Sequence, residues 1–333
     1  LNPAEIGLIV DGKADKRDLL SLIIYFADKG YLTIKQNGKK DFTLTKVKDI
    51  DAKEKKFARM LFDGLFAGGD SVKLDELGKS FSDAYFAAYG ALTEYYRKPK
   101  KRLFTMSSKI LRIIAFVLAA AMPFLTTVLS SLYSGKYMGV VIGGFGGTLV
   151  IAVTLLLLIR AQDKVYVTNT GRKTAKFTVL WTINLAAAAL CAVMVFMDTR
   201  SIVCALGFAA GLAASEFAAC MMKKRTDKSI ELMGKILGLR NFIETAEADR
   251  INLLVEDNPS YFYEVLPYAY VLGVTDKWAK KFEKINIESP SWYYGDESTL
   301  MDAWFYSRMM RSCSTAVAGN IHIDIEGIEA SEI

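Results

Sequence analysis

Apolar positions dominate four stretches in the middle of the chain, 113–133, 137–159, 177–197 and 201–222, and the polar residues between them are largely Lys and Arg. Each stretch is close to the roughly 20 residues that cross about 30 Å of hydrocarbon at about 1.5 Å per residue, so each is predicted to span a membrane once. Four such runs in succession, with basic flanks, fit the buried helices of a soluble protein poorly. Arg97, Lys98, Lys100, Lys101, Arg102, Lys109 and Arg112 precede the first run. Arg160, Lys164, Arg172, Lys173 and Lys176 lie between the second and third, and Lys223, Lys224, Arg225 and Lys228 follow the fourth. The other two connections are short and hold only Lys136 and Arg200. By the positive-inside rule the basic side is cytoplasmic, and both long ends of the chain lie there with it.

Outside the spans the pattern becomes amphipathic. Asn2 and Pro3 read as the N-cap and first-turn proline of one helix. A second helix over 14–29 places Leu19, Leu20, Ile23, Ile24 and Ala27 on one face and stops at Gly30. Residues 31–36 and 41–45 alternate around Asn37 and Gly38, a hairpin signal. Helix, helix, hairpin is a winged-helix pattern. A helix over about 52–66, an extended stretch over 71–74 and a helix over about 75–96 complete a first domain, 1–99, of one or two such units. After the fourth span, 226–254 reads as one long helix with Ile230, Met233, Ile236, Leu237, Phe242 and Ile243 inward. An aromatic helix opened by Asn258 and Pro259, a short helix carrying Trp278 and Phe282, and an aromatic loop at Pro290 and 292–295 give a second domain over 223–311, with the aromatics read as packing. The loop 162–176 holds a strand and turn at most, and the tail 312–333 is expected to be disordered. The predicted fold class is mostly α: a four-helix polytopic membrane bundle flanked by a winged-helix-like α+β cytoplasmic domain and a small helical cytoplasmic domain.

Small and polar residues inside the spans carry the structural and functional candidates. Gly139, Gly143 and Gly147 recur every four residues in the second span, and Gly207, Gly211 and Ser215 do so in the fourth, each set forming a flat stripe for helix packing. A glycine-lined pore is the alternative for the second span, where Gly144 and Gly146 widen the bare surface. Pro123 removes one backbone hydrogen bond from the first span and predicts a bend there, with Thr126 and Thr127 as groups able to compensate. Asn184 and Glu216 each lie seven residues from the basic end of their spans, about 10 Å deep on antiparallel neighbours, and are placed to meet. An ionisable group at such depth is a candidate proton or cation site; the bland reading has Glu216 reaching the interface or pairing with Lys176, Lys223 or Lys224.

Composition narrows the chemistry. At 333 residues and 52% apolar there is room for the bundle and about one small soluble domain on each side of it in sequence. The net charge of +6 is accounted for by the juxtamembrane clusters, which suit anionic lipid headgroups and do not argue for nucleic acid. A single histidine, His322 in the expected tail, removes most triads and histidine-based metal sites. Cys191, Cys204 and Cys220 lie in spans and Cys313 in the tail, without metal-ligand spacing or a disulfide pattern. No phosphate loop or dinucleotide fingerprint is present, so no catalytic residue, cofactor or metal is assigned.

The stretches "KRTDKSIELMGKILGLRNFIETAEADRINLL" at 224–254, "EVLPYAYVLGVTDKWAKKF" at 264–282 and "PSWY" at 290–293 resemble the domain of unknown function 2207 family of predicted bacterial membrane proteins. "LNPAEIGLIVDGKADKRDLLSLIIYFADKGYLTI" at 1–34 is similar to that family's first cytoplasmic segment. The resemblance implies that an export signal, an extracytoplasmic domain and one further membrane helix come before the segment that starts at Leu1, and it brings no catalytic residues. The acidic tail departs from the glycine- and serine-rich tails of that family.

The function expected is that of a bacterial cytoplasmic-membrane protein acting as a membrane-anchored scaffold or interaction module. Its expected partners are the lipid bilayer and a cytoplasmic protein, with a second copy of the chain as a further candidate. A transporter or channel component using Glu216 and Asn184 is the alternative. A membrane-tethered nucleic-acid binder is a third class, weakened because the helix before the wing opens Asp15, Lys16, Arg17, Asp18, where acids cancel the bases that would meet phosphate.

Overall fold

In the computed structural model, which describes residues 1–38, 41–135, 140–163, 170–282, 285 and 289–295, the chain opens with two reciprocally capped helices. In α1 (Pro3–Asp11) the Asn2 side chain accepts from the Glu5 backbone N–H and the Asn2 N–H donates to the Glu5 carboxylate, each at 3.1 Å. Gly12 then ends α1 in the left-handed region, at φ 78°. In α2 (Lys16–Asp28), Arg17 N donates to Asp15 Oδ1 at 3.0 Å and Asp15 N to Asp18 Oδ2 at 2.8 Å. The acids at the start of α2 are thus its cap, and Asp18 is buried.

The hairpin follows as β1 (Leu32–Gln36) and β2 (Phe42–Lys46), antiparallel with Ile34 opposite Leu44. Both strands bury alternate residues, Leu32, Ile34, Phe42 and Leu44, as the period-two pattern requires. Helix α3 (Lys56–Leu65), strand β3 (Ser71–Lys73) and helix α4 (Lys79–Tyr95) come next, with β3 antiparallel to β2 and α3 packed on α4. Glu5 ties these pieces together. Fully buried, it pairs with Lys55 at the start of α3 and accepts from Tyr96 Oη, just past α4, at 2.8 Å. Such a carboxylate is tolerable only because every nearby donor is aimed at it.

The sequence beyond 230 belongs to the same compact unit as residues 1–101. The single helix expected over 226–254 is instead two, α9 (Asp227–Thr245) and α10 (Ala248–Asp257). The break falls where Lys281 Nζ donates to the Ala246 carbonyl at 2.5 Å, taking the acceptor at the end of α9. Met233, Ile236 and Ile243 of α9 are buried, whereas Ile230 and Leu237, seven residues apart on an adjoining stripe, are exposed. Helix α11 (Tyr261–Val271) packs on α1 and α2, and α12 (Thr275–Phe282) packs on α11. Trp278 is fully buried, donates through Nε1 to the Phe262 carbonyl at 3.1 Å and meets Phe282 edge-on at 4.7 Å between ring centroids. Part of the expected aromatic loop is a strand. β4 (Tyr293–Tyr294) runs parallel to β1, with Ile34 opposite Tyr293, giving the order β3-β2-β1-β4. Helix α2 ends up at the centre, packed by α1, α3, α4, α11 and β1, with Lys16 its one exposed residue.

The second unit, residues 102–229, contains four helices long and apolar enough to cross a membrane: 106–134, 142–163, 175–199 and 202–221. They belong to α5 (Met106–Ser134), to a π-helical segment Val140–Gly147 that continues into α6 (Thr148–Asp163), to α7 (Thr170–Thr199) and to α8 (Ile202–Met221). Thr170 and Gly171, expected in a turn, are already helical in α7, while 164–169 and the tail lie outside the described residues. Ala115, Ala119, Ile151, Leu155, Cys191, Phe208 and Leu212 form the interior of this unit. Pro123 sits inside α5; Thr126 Oγ1 donates to Met122 O and Thr127 Oγ1 to Pro123 O, both at 2.7 Å. Those acceptors lie one turn beyond the Ala119 carbonyl that a proline at 123 leaves without its usual donor. The chain entering α5 and the chain leaving α8 clasp each other: Phe104 bridges Arg225, Thr226 N donates to Leu103 O at 3.0 Å and Thr105 N to Lys224 O at 3.1 Å.

Burial holds the Asp18 carboxyl well above the usual carboxylate range, with Asp15 adding to the effect and the Asp15 N–H opposing it. The folded chain therefore binds this proton more tightly than the unfolded chain. The stabilising contribution is complete below the unfolded value of about 3.9 and is lost as pH rises through the folded value. Asp18→Asn keeps an acceptor for the Asp15 N–H and is expected to flatten that fall, raising stability at neutral pH relative to the parent. Thermal unfolding of both proteins across an acid-to-neutral series measures it.

Candidate functional site

Three helices each place one polar side chain in the apolar interior of the 102–229 unit. Thr154 on α6, Asn184 on α7 and Glu216 on α8 are 5%, 1% and 5% exposed. Apolar residues on the other faces of the same helices are exposed, Leu156, Leu185 and Phe217 among them. Asn184 Nδ2 donates to Thr154 Oγ1 at 2.9 Å, and the Asn184 side chain also hydrogen-bonds the Glu216 carboxyl. Thr154 passes its own proton to Val150 O at 2.7 Å. Glu216 Oε1 is buried and has no hydrogen-bond partner among the described residues. The two residues singled out by depth are thus in contact. Thr154, which joins them, carried no signal in the sequence because a threonine can bond back to its own helical turn anywhere.

A charged cluster closes one end of the same unit. Arg112 on α5 meets both carboxylate oxygens of Asp163 at the end of α6, at 3.1 and 3.3 Å, and its Nε donates to the Ala219 carbonyl of α8 at 2.9 Å. Lys223 reaches the same Asp163 at 3.0 Å and lies over the Phe104 ring at 4.4 Å. Burial holds the Lys223 ammonium below the usual lysine range, with Asp163 pulling it back up. Asp163 was not singled out from the sequence, although a lone acid at the edge of a basic run was the available cue. At the opposite end Ser130 Oγ donates to Asp198 Oδ2 at 3.2 Å.

The glycine stripes divide by position. A Cβ at Gly143 would touch Thr127 and Met194 at 3.2 and 3.6 Å, one at Gly147 would overlap Cys191 Sγ, and one at Gly211 would lie 2.5 Å from Met122 Cε. At Gly207 it would meet nothing within 4 Å, and Ser215 Oγ bonds back to Leu212 O at 2.8 Å. Gly139 lies outside the described residues. Of the two bare glycines beside the stripe, Gly144 approaches Thr127 and Gly146 faces open space. Among the described residues no group of three or more His, Cys, Asp or Glu is arranged to hold a metal ion.

Four apolar helices of spanning length define the class, a membrane protein with four candidate transmembrane helices. More narrowly, the chain belongs to the family described as predicted membrane protein (DUF2207) C-terminal domain, whose model matches residues 1–176 and 157–282. The family is one of unknown function. No curated protein and no solved structure matches the chain.

Leucine at 147 has to displace Cys191 or separate two helices, whereas leucine at 207 enters open space. Gly147→Leu is expected to cost about 1–3 kcal/mol, the range for overpacking, and Gly207→Leu much less. Thermal unfolding of the two variants in the same detergent separates them; equal losses would refute the packing assignment.

Proposed function

We propose that the chain is a multi-pass protein of the bacterial cytoplasmic membrane whose two soluble segments form one cytoplasmic, protein-binding unit. The observation that carries this reading is that β4 and α11, which follow the four helices, complete the sheet and core begun by β1 and α2, which precede them. A unit built from both flanks requires both to lie on the same face, hence an even number of crossings, and four is even. The clasp of 103–105 with 224–226 supports the same conclusion from within the membrane unit. The basic flanks then choose the cytoplasmic face.

The order α1, α2, β1, β2 is that of a winged-helix module, read here as a protein-contact module. Burial of α2 supports that choice over nucleic acid, since the helix that would enter a groove has little free surface. Arg17, one of its few bases, stands over the Tyr270 ring at 5.8 Å. The exposed aromatic pair Phe86 and Tyr89, three residues apart on α4, is the surface on which a protein partner would sit. No reaction is assigned.

Single cysteines at Ser134, Lys53 and Glu256 in an otherwise cysteine-free chain test the topology. Ser134→Cys should label from outside intact cells, and the other two only in inverted vesicles. Opposite sidedness of positions 53 and 256 would break the shared-unit reading. For the partner, photo-crosslinking from position 86 in cells should trap a discrete protein, and Tyr89→Asp should abolish the crosslink while thermal stability holds. Absence of any crosslink from that face would remove the interaction role.

A further inference from the structure

Glu216 is a buried acid that, among the described residues, has no counter-charge paired with it. Among the described residues, two cations at this end of the unit are already paired: Arg112 with Asp163 and the Ala219 carbonyl, and Lys223 with Asp163. Glu216 itself makes no ion pair among the described residues, and one of its oxygens is fully enclosed without a partner. The groups on the packed helices are Arg112 on α5, Thr154 and Asp163 on α6 and Asn184 on α7. On α8 itself stands Cys220, within electrostatic reach of Glu216, Arg112 and Asp163, and Lys223 follows just past its end. Of these described groups, the Asn184 side chain hydrogen-bonds Glu216, and an amide is not a charge. An acid in hydrocarbon requires neutralisation, and here a mobile ion has to provide it.

We propose that Glu216 is the binding site of a monovalent cation, a proton or a sodium ion, attached at the free Oε1, with Asn184 and Thr154 fixing the carboxyl in position. The cluster of Arg112, Asp163 and Lys223, about one to two helical turns further along α8, stands between this site and the basic end of the helices. Because Asp163 pairs with both cations, neither is paired with Glu216. This goes beyond the interaction role of the soluble unit and needs only that the four helices be held in a bilayer or a micelle.

The test compares thermal unfolding of the full chain and of Glu216→Gln in detergent, across an acid-to-alkaline series, with sodium replaced by choline at constant ionic strength. The parent is expected to shift its midpoint upward with sodium or with acid, by an increment the glutamine variant lacks. A sodium response at fixed alkaline pH identifies sodium, and a response to acid alone identifies the proton. Identical responses of the two chains to both overturn the proposal. Should the variant not fold, carbodiimide modification of the parent decides. An adduct mapped to Glu216 by mass spectrometry and lost on adding sodium or alkali supports the site; no adduct, or one indifferent to both, overturns it.

Discussion

The backbone bond from Ile34 N to Trp292 O, 2.7 Å long, joins chain that precedes the membrane helices to chain that follows them. A two-residue strand would not hold by itself. It is kept in place by burial of Trp292 and Tyr293, by the Tyr293 hydroxyl donating to Gln36 Oε1 at 2.6 Å, and by α11 lying against α1 and α2. That closure draws on both flanks, so the unit begun by residues 1–101 is completed by chain that follows the last of the four apolar helices. The insertion of a membrane block into one soluble unit is the feature from which the functional reading follows.

Within the 102–229 unit the governing constraint is that polar groups in an apolar medium must be satisfied internally. Most are satisfied locally: Thr126, Thr127, Ser130 and Ser215 bond to carbonyls of their own turns. Charges are confined to the ends, where Arg112, Asp163 and Lys223 tie α5, α6 and α8, and Asp198 meets Ser130. Among the described residues four buried side-chain oxygens of this unit, Thr105 Oγ1, Ser131 Oγ, Thr148 Oγ1 and Glu216 Oε1, stand outside that pattern. A hydroxyl left over at the end of a helix is a small cost. A carboxyl oxygen enclosed between helices is a larger one.

The soluble unit spends its buried acids differently. Glu5 and Asp18 both close capping boxes and both lie in the interior, one neutralised by Lys55, the other held by backbone N–H and shielded from water. Charges that look like surface decoration in the sequence are therefore parts of the core.

Several features were determined by sequence alone, because they depend on local composition and periodicity. The four apolar helices follow from run length, the hairpin from alternation around Asn37 and Gly38, and the cap of α1 from residue type at the first turn. The meeting of Asn184 and Glu216 could be placed from equal depth on antiparallel neighbours. What only tertiary structure decided are relations between residues far apart in the chain. The parallel pairing of β4 with β1, the use of Asp163 as the common partner of Arg112 and Lys223, the break between α9 and α10 at a carbonyl taken by Lys281, and the role of Thr154 are of this kind. None has a periodic signature, because in each the partner is chosen by three-dimensional proximity, and a lone Thr, Asp or Lys looks the same in the sequence whether or not something folds against it.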